Sequence, residues 1–456
     1  MTESQNSLAH IRRKTTVSLL RTWQEVKGTA FHVFSSEVRA NVPKEDEAEL
    51  RKRMMLCLDS PGGEVTARAN TAELGRIYLS LNEAGRKKFL HMLAAEFDVN
   101  HTKLVAIAKD YQTAKDDARL GLEVAMREAL QTPRSTILKQ FTALPDGFKF
   151  LVNMRADLLP IMGKDTKLKA LEADLKQVLA TFFDVALLDL VEISWNSPAA
   201  ILEKLIEYEA VHRVSSWEDL KNRLDADRRV FAFFHHKMPT EPLIFVHVAL
   251  VDGMSDNVQV LLDEKSPVFD NDKADTAIFY SISNAQKGLA GISFGNFLIK
   301  RVVSQLTSEM KQLKTFATLS PIPGFRAWLD QLVEKGESSL FDKKEQALLK
   351  TLDGDWHKDA KQSEKLRPLL LRLCAHYLLH EKKFGKPLDP VSNFHLFNGA
   401  RLERLNWLGD TSAKGLKQSA GIMANYYYKL SEIDENHEAF AESGKIVASR
   451  NVKGYL

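Results

Sequence analysis

The sequence predicts an α+β protein in which an N-terminal all-α helical bundle, residues 1–181, precedes a mixed α/β domain, residues 182–456. Two observations lead to this prediction. Apolar residues recur at helical spacing throughout the first part, whereas β-branched and aromatic runs appear only after residue 194. At 456 residues the chain is also too long for one compact core, so two domains, or one domain with a large appendage, are expected.

Four stretches of the N-terminal part have the pattern of amphipathic helices. They are residues 64–81, 87–97, 102–131 and 165–181, and helix-breaking residues cluster between them at 60–63 and 144–147. This part of the sequence contains nothing that resembles a catalytic constellation. We therefore interpret it as a helical bundle that docks, oligomerises or covers a site.

Strands are predicted in the second part. The runs at 230–236, 243–251, 258–262 and 276–283 are rich in β-branched and aromatic residues, and residues 238–242 separate the first two as a hairpin loop would. Before them, Ser197 with Pro198 and then Ser216 are expected to begin two short helices.

The fourth strand begins a strand–loop–helix–strand unit. A glycine-rich loop at 286–296 follows it, then a helix to about residue 311 and a strand from Thr315. Such a crossover normally places its two strands parallel, so the loop and the end of the second strand are expected at one edge of the sheet. The loop is a plausible pyrophosphate site because its N–H groups and the following helix N-terminus attract phosphate, although such glycines also serve helix-to-sheet packing.

Ser320 stands where that second strand enters a rigid turn. Pro321 and Pro323 restrict the backbone of the residues before them, and Pro323 with Gly324 suits a type II turn. A side chain held this firmly is either a catalytic group or part of a well-made turn, and the local sequence favours the turn.

The last third of the chain is mixed. Helices are predicted at 341–352 and 364–382, and residues 389–400 are interpreted as an extended piece closed by an Asn-Gly turn, with His395 beside it. Residues 410–412 are expected to cap another helix. The tyrosine run at 426–428 is interpreted as a packed helix face, from which one hydroxyl near His395 would be able to orient the imidazole.

Charge and cysteine usage limit the function classes. The net charge of +3 argues against a dedicated nucleic-acid binder, and two distant cysteines exclude a disulfide framework or zinc ribbon. Neither a membrane-spanning run nor the apolar core of a secretory signal is evident, so we expect a cytoplasmic protein with no membrane partner. The basic segment 10–27 leaves an organellar address open.

Two further patterns suggest other chemistry. Residues 291–295 match the G-x-S-x-G elbow of an α/β-hydrolase, with Ser293 as nucleophile, but the pattern begins several residues after the strand and lacks an upstream oxyanion segment. His235, His236 and His247 lie on neighbouring predicted strands, but adjacent residues on one strand point to opposite faces and would not share a metal ion.

Longer motifs of the C-terminal part resemble the malonyl-CoA decarboxylase family. They are Ile278-Phe279-Tyr280-Ser281-Ile282-Ser283, Gly288-Leu289-x-Gly291, Phe297-Leu298-Ile299-Lys300-Arg301-Val302-Val303, residues 319–325, Asn393-Phe394-His395-Leu396 with Asn398-Gly399-Ala400, and Gly421-x-Met423-Ala424-Asn425-Tyr426. The resemblance implies a helical domain that mediates self-association as a dimer or tetramer. It also implies an acetyltransferase-like (GNAT-related) domain that binds the acyl-CoA.

The resemblance also implies site residues. The family's catalytic serine falls on Ser320, its histidine on His395 and its supporting tyrosine on Tyr428. Its pyrophosphate-binding segment falls on Ala290, Gly291, Ile292, Ser293, Phe294, Gly295 and Asn296. Some members carry glutamate where this chain has Ser293, and that residue is thought to help hold the histidine, so a water or another carboxylate would take that role here.

The reaction that the resemblance implies is the decarboxylation of malonyl-CoA to acetyl-CoA and CO2. It requires no cofactor and no metal because the thioester is itself the electron sink. Two alternatives stay open on the residues alone. One is an acyl-CoA thioesterase or esterase that uses Ser293, and the other is a non-catalytic acyl-CoA-binding protein.

Overall fold

The chain divides into a helical unit and a unit built on a β-sheet, as the α+β prediction requires. The structure, a computed structural model, describes residues 16–17, 19–23, 38–59, 63–292, 298–336 and 339–456. Residues up to Leu188, together with 235–239 and 286–292, belong to the helical unit. The other described residues form the sheet unit, and the domain bounds 1–181 and 182–456 stay a prediction.

Eight helices make up the labelled part of the helical unit. They are α1 (Lys44–Leu58), α2 (Gly63–Ser80), α3 (Glu83–Glu96), α4 (His101–Thr113), α5 (Asp116–Ala129), α6 (Pro133–Phe141), α7 (Gly147–Leu158) and α8 (Thr166–Phe182). The predicted helix at 102–131 is in fact two helices, because the backbone is extended at Ala114 and Lys115. Asn82, Asn100 and Asp165 cap three of the helices through their side chains.

Aromatic packing forms the centre of the helical unit. The Phe150 ring lies 4.9 Å from the Trp23 ring and 4.5 Å from the Phe141 ring, measured between ring centroids, and Tyr78 meets Phe89 edge to face. All five side chains are almost completely buried. Aromatic pairs in these arrangements contribute about 0.5–1.5 kcal/mol each beyond the burial of their area.

The segment 286–292 packs tightly within the helical unit. The Arg155 guanidinium donates to the Gly288 carbonyl oxygen at 2.6 Å, and Lys149 donates to the Gln286 side chain at 2.8 Å. A Cβ atom at Gly288 would lie 1.8 Å from the backbone oxygen of Val152. Glycine is therefore required at position 288 by close backbone approach.

The sheet unit contains one mixed sheet and one short hairpin. The strands are β1 (Leu188–Ile193), β2 (Arg228–His235), β3 (Ile244–Val251), β4 (Thr276–Asn284), β5 (Thr315–Thr318), β6 (Ser320–Pro321), β7 (Lys382–Lys383), β8 (Lys386–Pro387), β9 (Arg401–Asn406) and β10 (Met423–Tyr427). The large sheet has the order β1-β2-β3-β4-β5-β10-β6, with β9 also paired to β10, and β7 pairs only with β8.

Eleven labelled helices accompany these strands. They are α9 (Ala199–Tyr208), α10 (Trp217–Asn222), α11 (Val258–Leu262), α12 (Leu298–Glu309), α13 (Phe325–Lys335), α14 (Lys343–Leu349), α15 (Ala360–His380), α16 (Pro390–Phe397), α17 (Ala413–Ser419), α18 (Ile433–Ser443) and α19 (Arg450–Lys453). Ser216 caps α10 and Ser412 caps α17 through their side chains, as predicted.

The predicted crossover is confirmed. β4 and β5 are parallel, with Thr276 opposite Thr315 and Phe279 opposite Thr318, and α12 connects them. The predicted hairpin between β2 and β3 is confirmed as well. β5 and β6 are consecutive pieces interrupted at Leu319, and both pair with β10, through Tyr427 opposite Ala317 and Ala424 opposite Ser320.

Two predicted extended or strand segments are helices. Residues 258–262 form α11 because Asn257 accepts a hydrogen bond from the Val260 N–H and the helix buries only Val258 and Leu261. Residues 390–397 form α16, since Asp389 caps two N–H groups and Pro390 occupies the first turn, where its missing N–H costs nothing.

Two other predictions are also wrong, one for the tyrosine run and one for the turn after Ser320. The tyrosine run does not lie on a helix: β10 carries Tyr426 and Tyr427 and pairs with β5, β6 and β9, because three successive aromatic residues also suit a strand. The turn after Ser320 is not type II. Gly324 has φ −96°, whereas a type II turn requires a positive φ there.

Gly288→Ala is expected to destabilise the helical unit. Over-packing of this kind costs about 1–3 kcal/mol, and the atom it would meet is backbone. Urea unfolding followed by circular dichroism measures the change. Gly121→Ala is the matched control, because its added Cβ meets no atom within 4 Å. A Gly288→Ala protein as stable as the Gly121→Ala protein would contradict the close approach at position 288.

Candidate active site

Ser320 lies at the interruption between β5 and β6 and is 5% exposed. The strands on both sides fix its backbone. The Leu319 N–H donates to the Phe279 carbonyl of β4 at 3.0 Å, and the Asn425 side chain of β10 donates to the Thr318 carbonyl at 2.6 Å. The serine that the sequence places at a rigid strand end is therefore held from two directions.

His395 is in the last turn of α16 and is 2% exposed. Its Nε2 atom lies 3.0 Å from the Ser320 Oγ, and its Nδ1 atom lies 2.8 Å from the Tyr428 Oη. The Tyr426 ring stacks on the imidazole with centroids 4.6 Å apart and planes at 23°. The structure thus brings the three predicted catalytic residues together in one hydrogen-bonded chain.

Burial determines the charge state of these hydrogen-bonded side chains. It lowers the pKa of His395 to about 3, and it raises the pKa of the Tyr428 hydroxyl well above its usual range. At neutral pH the imidazole is consequently neutral. One ring nitrogen carries a hydrogen and the other accepts one, so the chain can conduct a proton in either direction.

Asp389 connects the Ser320 turn to the His395 helix. One carboxylate oxygen accepts the N–H groups of Val391 and Ser392 at the start of α16, at 3.0 and 2.9 Å. The other accepts the Gly324 N–H at 3.3 Å, four residues after Ser320. Burial raises the pKa of this carboxyl to about 6 against the effect of those three hydrogen bonds. Asp389 is not among the predicted site residues, although Asp-Pro is a recognisable helix start.

A cavity of about 340 Å³ opens beside Ser320 and His395. It lies where β4 and β5 have diverged, because their pairing ends at Phe279 opposite Thr318 while β4 continues to Asn284. Its lining residues come from β4, β6, α16 and the segment after α9: Val211, Phe279, Tyr280, Ser281, Ile282, Asn284, Ser320, Pro321, Pro390, Val391, Phe394 and His395. Most of this lining is apolar, and the Ser320–His395 pair contributes reactive groups to it.

A buried carboxylate, Glu209, holds two residues that line the cavity, Val211 and Ser281. Glu209 Oε1 accepts the Val211 N–H at 2.8 Å and the Ser281 hydroxyl at 2.7 Å, and Oε2 lies 3.2 Å from His247 Nε2. Burial opposes ionisation, but the nearby His247 side chain and hydrogen bonds from the Ser281 hydroxyl and the His212 backbone N–H lower the pKa of Glu209 to about 2. Glu209 follows an ordinary amphipathic helix, and no local pattern distinguishes it from a surface acid.

Two of the three histidines considered as metal ligands have other partners. His247 pairs with Glu209, and His235 Nε2 lies 3.1 Å from the Phe182 carbonyl oxygen. Within the ranges that the structure describes, no group of three or more His, Cys, Asp or Glu side chains is arranged to hold a metal ion. The same ranges contain no helix long and apolar enough to cross a membrane.

The predicted pyrophosphate segment is described only in part. Ala290, Gly291 and Ile292 follow a 3-10 turn, and Gly291 has φ +74°. The other four predicted residues lie outside the described residues: Ser293, Phe294, Gly295 and Asn296. The 3-10 turn Lys287–Leu289 separates the G-x-S-x-G pattern from β4, which ends at Asn284, whereas a nucleophile elbow follows its strand directly.

The chain is similar to proteins of one family over most of its length. The profile of the malonyl-CoA decarboxylase C-terminal domain matches residues 186–456, more than half of the chain, and the profile of the malonyl-CoA decarboxylase N-terminal domain matches residues 97–183. Two relatives are named "Malonyl-CoA decarboxylase, mitochondrial". The one from Anser anser anser is 38% identical over 86% of this chain and 84% of its own, and the one from Mus musculus is 35% identical over 93% and 91%.

Solved structures agree with these matches. The crystal structure of malonyl-CoA decarboxylase from Rhodopseudomonas palustris is 40% identical, with a TM-score of 0.85, over 89% of this chain and 99% of that one. The enzyme from Agrobacterium vitis gives 40% identity and a TM-score of 0.84 over the same shares. The chain therefore belongs to the malonyl-CoA decarboxylase family.

Proposed function

We propose that the protein decarboxylates malonyl-CoA to acetyl-CoA and CO2, with Ser320 and His395 as the catalytic pair and Tyr428 as the support of the imidazole. The observation that carries the proposal is the chain from Ser320 through His395 to Tyr428, with contacts of 3.0 and 2.8 Å, beside a largely apolar cavity. Membership of the family indicates which reaction to expect, and the hydrogen-bonded side chains are suited to the proton transfer of that reaction.

The reaction needs a place for negative charge and a source of one proton. Cleavage of the C2–carboxylate bond releases CO2 and leaves the electron pair in an enolate whose charge resides on the thioester oxygen. C2 must then receive a proton to give the acetyl group. A mostly apolar cavity favours the first step, because a carboxylate loses charge density when CO2 leaves.

His395 supplies the proton through Ser320. In the empty site burial keeps the imidazole neutral. A malonyl carboxylate bound next to Ser320 brings a negative charge close to the imidazole and favours its protonation, so the complex takes up one proton from solvent. After CO2 leaves, the Ser320 hydroxyl protonates C2 and recovers its hydrogen from His395 Nε2. His395 returns to the neutral form, and one proton has been consumed for each CO2 released.

Tyr428 takes the role that a carboxylate would otherwise have. Its hydroxyl oxygen lies 2.8 Å from His395 Nδ1 and fixes the ring, while Tyr426 stacks on the ring face. A neutral phenol holds the imidazole without raising its proton affinity as strongly as a carboxylate would. The substrate carboxylate then becomes the main counter-ion of the imidazolium.

The acetyltransferase-like (GNAT-related) character of the sheet unit is part of the proposal. The parallel strands β4 and β5 pair through Phe279 and Thr318 and then diverge around the cavity. Such a gap in a sheet exposes backbone N–H and C=O groups, which suit the amides of an extended pantetheine chain. We assign the acyl and pantetheine parts to this cavity and the pyrophosphate to the segment 290–296.

Self-association is proposed for the helical part, as a dimer or tetramer, with residues 182–456 as the catalytic domain. The hairpin formed by α4 and α5 is the feature that supports self-association. The two helices pack on each other, yet neither contains a buried residue. Val105, Leu120 and Val124 are 53%, 68% and 48% exposed. Exposed apolar side chains on both helices of one hairpin favour an interface with a second copy.

The cytoplasmic location also stays a proposal. The names of the goose and mouse relatives contain the word mitochondrial, which is a statement about those proteins. Fluorescent tagging of the full chain in its native cell decides between the two compartments.

Loss of either member of the catalytic pair is expected to abolish most of the activity. Ser320→Ala and His395→Asn should each lower kcat by about 10²–10⁴-fold, because general acid catalysis contributes about that much. Purified variants are incubated with malonyl-CoA, and acetyl-CoA, CO2 and free CoA are quantified. Ser304→Ala, an exposed serine on α12, is the matched control and should behave as wild type.

The same assay separates the alternatives. If Ser293→Ala abolishes turnover while Ser320→Ala is nearly silent, the assignment of the serine is wrong. Release of free CoA without CO2 would indicate a thioesterase. Tight binding with no product from the wild-type protein would indicate a non-catalytic acyl-CoA-binding protein.

Charges on the α4–α5 hairpin are expected to prevent self-association. The double variant Leu120→Glu with Val124→Glu should be smaller in mass than wild type by light scattering after size-exclusion chromatography. Val65→Glu is the control, because Val65 is 63% exposed on α2, outside the hairpin. A monomeric wild type, or a double variant with the wild-type mass, would contradict the proposed interface.

A further inference from the structure

Thr318 lies two residues before Ser320 and is completely buried. The Tyr426 N–H donates to its Oγ1 at 3.1 Å, and the Ser320 hydroxyl donates to the same oxygen at 2.9 Å. The threonine hydroxyl therefore lies between a backbone donor of β10 and the proposed catalytic serine. It adds a fourth side chain to the row formed by Ser320, His395 and Tyr428.

Thr318 is held in this place by its own backbone. Its carbonyl oxygen accepts from Asn425 Nδ2 at 2.6 Å, and the same nitrogen donates to the Ser255 carbonyl at 3.0 Å. Asn425 Oδ1 in turn accepts from Arg404 Nε at 3.0 Å and from Asn406 Nδ2 at 2.8 Å. The amide of Asn425 is thus bonded at both ends and fully buried, and it gives Thr318 a fixed position relative to β10.

The direction of these hydrogen bonds has a consequence for His395. The Tyr426 N–H can only donate, so it occupies one lone pair of Thr318 Oγ1, and the Ser320 hydroxyl donates to the same oxygen. When the Ser320 hydroxyl donates to that oxygen, a lone pair of Ser320 Oγ faces His395 Nε2. The Nε2 atom then carries the ring hydrogen, and Nδ1 accepts from the Tyr428 hydroxyl.

We propose that Thr318 is a positioning residue, whose hydroxyl holds the Ser320 proton in the empty site and thereby selects the His395 tautomer with hydrogen on Nε2. This inference rests on the proposed function of Ser320 and His395. In the substrate complex the Ser320 hydroxyl turns from Thr318 towards C2 while its oxygen stays in line with Nε2. Thr318 acts only through Ser320 and contacts none of the reacting atoms.

Thr318→Val tests the hydroxyl at nearly constant shape. It should lower kcat by about 10- to 100-fold, as misorientation of a catalytic group does, with KM changed less than about threefold. Thr318→Ser restores the hydroxyl and should keep kcat within about threefold of wild type. If Thr318→Val does not fold, Thr318→Ala takes its place, and thermal unfolding of each variant establishes that the compared proteins are folded.

A second readout does not depend on turnover. Nitrogen-15 shifts of labelled histidine rings report the tautomer, and the His395 signal is assigned by its loss in His395→Asn. Wild type and Thr318→Ser should show hydrogen on Nε2, whereas Thr318→Val should show a changed tautomer population. Unchanged ring shifts in Thr318→Val would overturn the proposal.

The kinetic outcomes separate this inference from the proposed function. A folded Thr318→Val protein with wild-type kcat, while Ser320→Ala is inactive, would overturn the role of Thr318 alone. Equal impairment of folded Thr318→Ser and Thr318→Val would also overturn it, because the hydroxyl would then not matter. Full activity of Ser320→Ala or His395→Asn would instead remove the proposed function.

Discussion

β4 and β5 stop pairing after Phe279 and Thr318, and the whole candidate site depends on that divergence. The divergence leaves the cavity between β4 and β6. It also allows the strand to be interrupted at Leu319, so that Ser320 lies beside the cavity. β10 compensates by pairing with both β5 and β6, so the interrupted strand keeps a continuous neighbour. The site therefore remains rigid although β4 and β5 lose backbone hydrogen bonds there.

Burial then determines how the polar groups of the site behave. An imidazole without solvent is neutral, so the proposed mechanism relies on the charge of the substrate carboxylate to protonate His395. Glu209 shows the opposite result, because enough donors surround it to keep a carboxylate ionised in the interior. Both cases follow one rule: the balance between desolvation and hydrogen bonding to the charged form sets the protonation state.

Local patterns predicted part of this arrangement. The two prolines after Ser320 and the βαβ unit were sufficient to predict a fixed serine at a strand end, and the family motifs supplied His395 and Tyr428. Local sequence did not predict α16, because the Asp389-Pro390 pair that starts this helix was interpreted as part of an extended segment. It also did not predict β10, because successive tyrosines suit either a helix or a strand. Thr318, Asn425 and Glu209 contribute through contacts with residues more than 70 positions away, which periodicity does not encode.

The claim that His395 gains a proton with the substrate carboxylate is tested most directly by calorimetry of proton uptake. Binding of an unreactive malonyl-CoA analogue, a thioether with a methylene group in place of the thioester carbonyl, is measured near neutral pH in buffers of different ionisation enthalpy. Tyr426 and Tyr428 contact the imidazole and Asp389 acts on the pKa of Tyr426, so His395→Asn is used to isolate the contribution of the imidazole. Wild type is expected to take up close to one proton, and His395→Asn close to none. Binding by wild type without proton uptake, or equal uptake by both proteins, would contradict the claim.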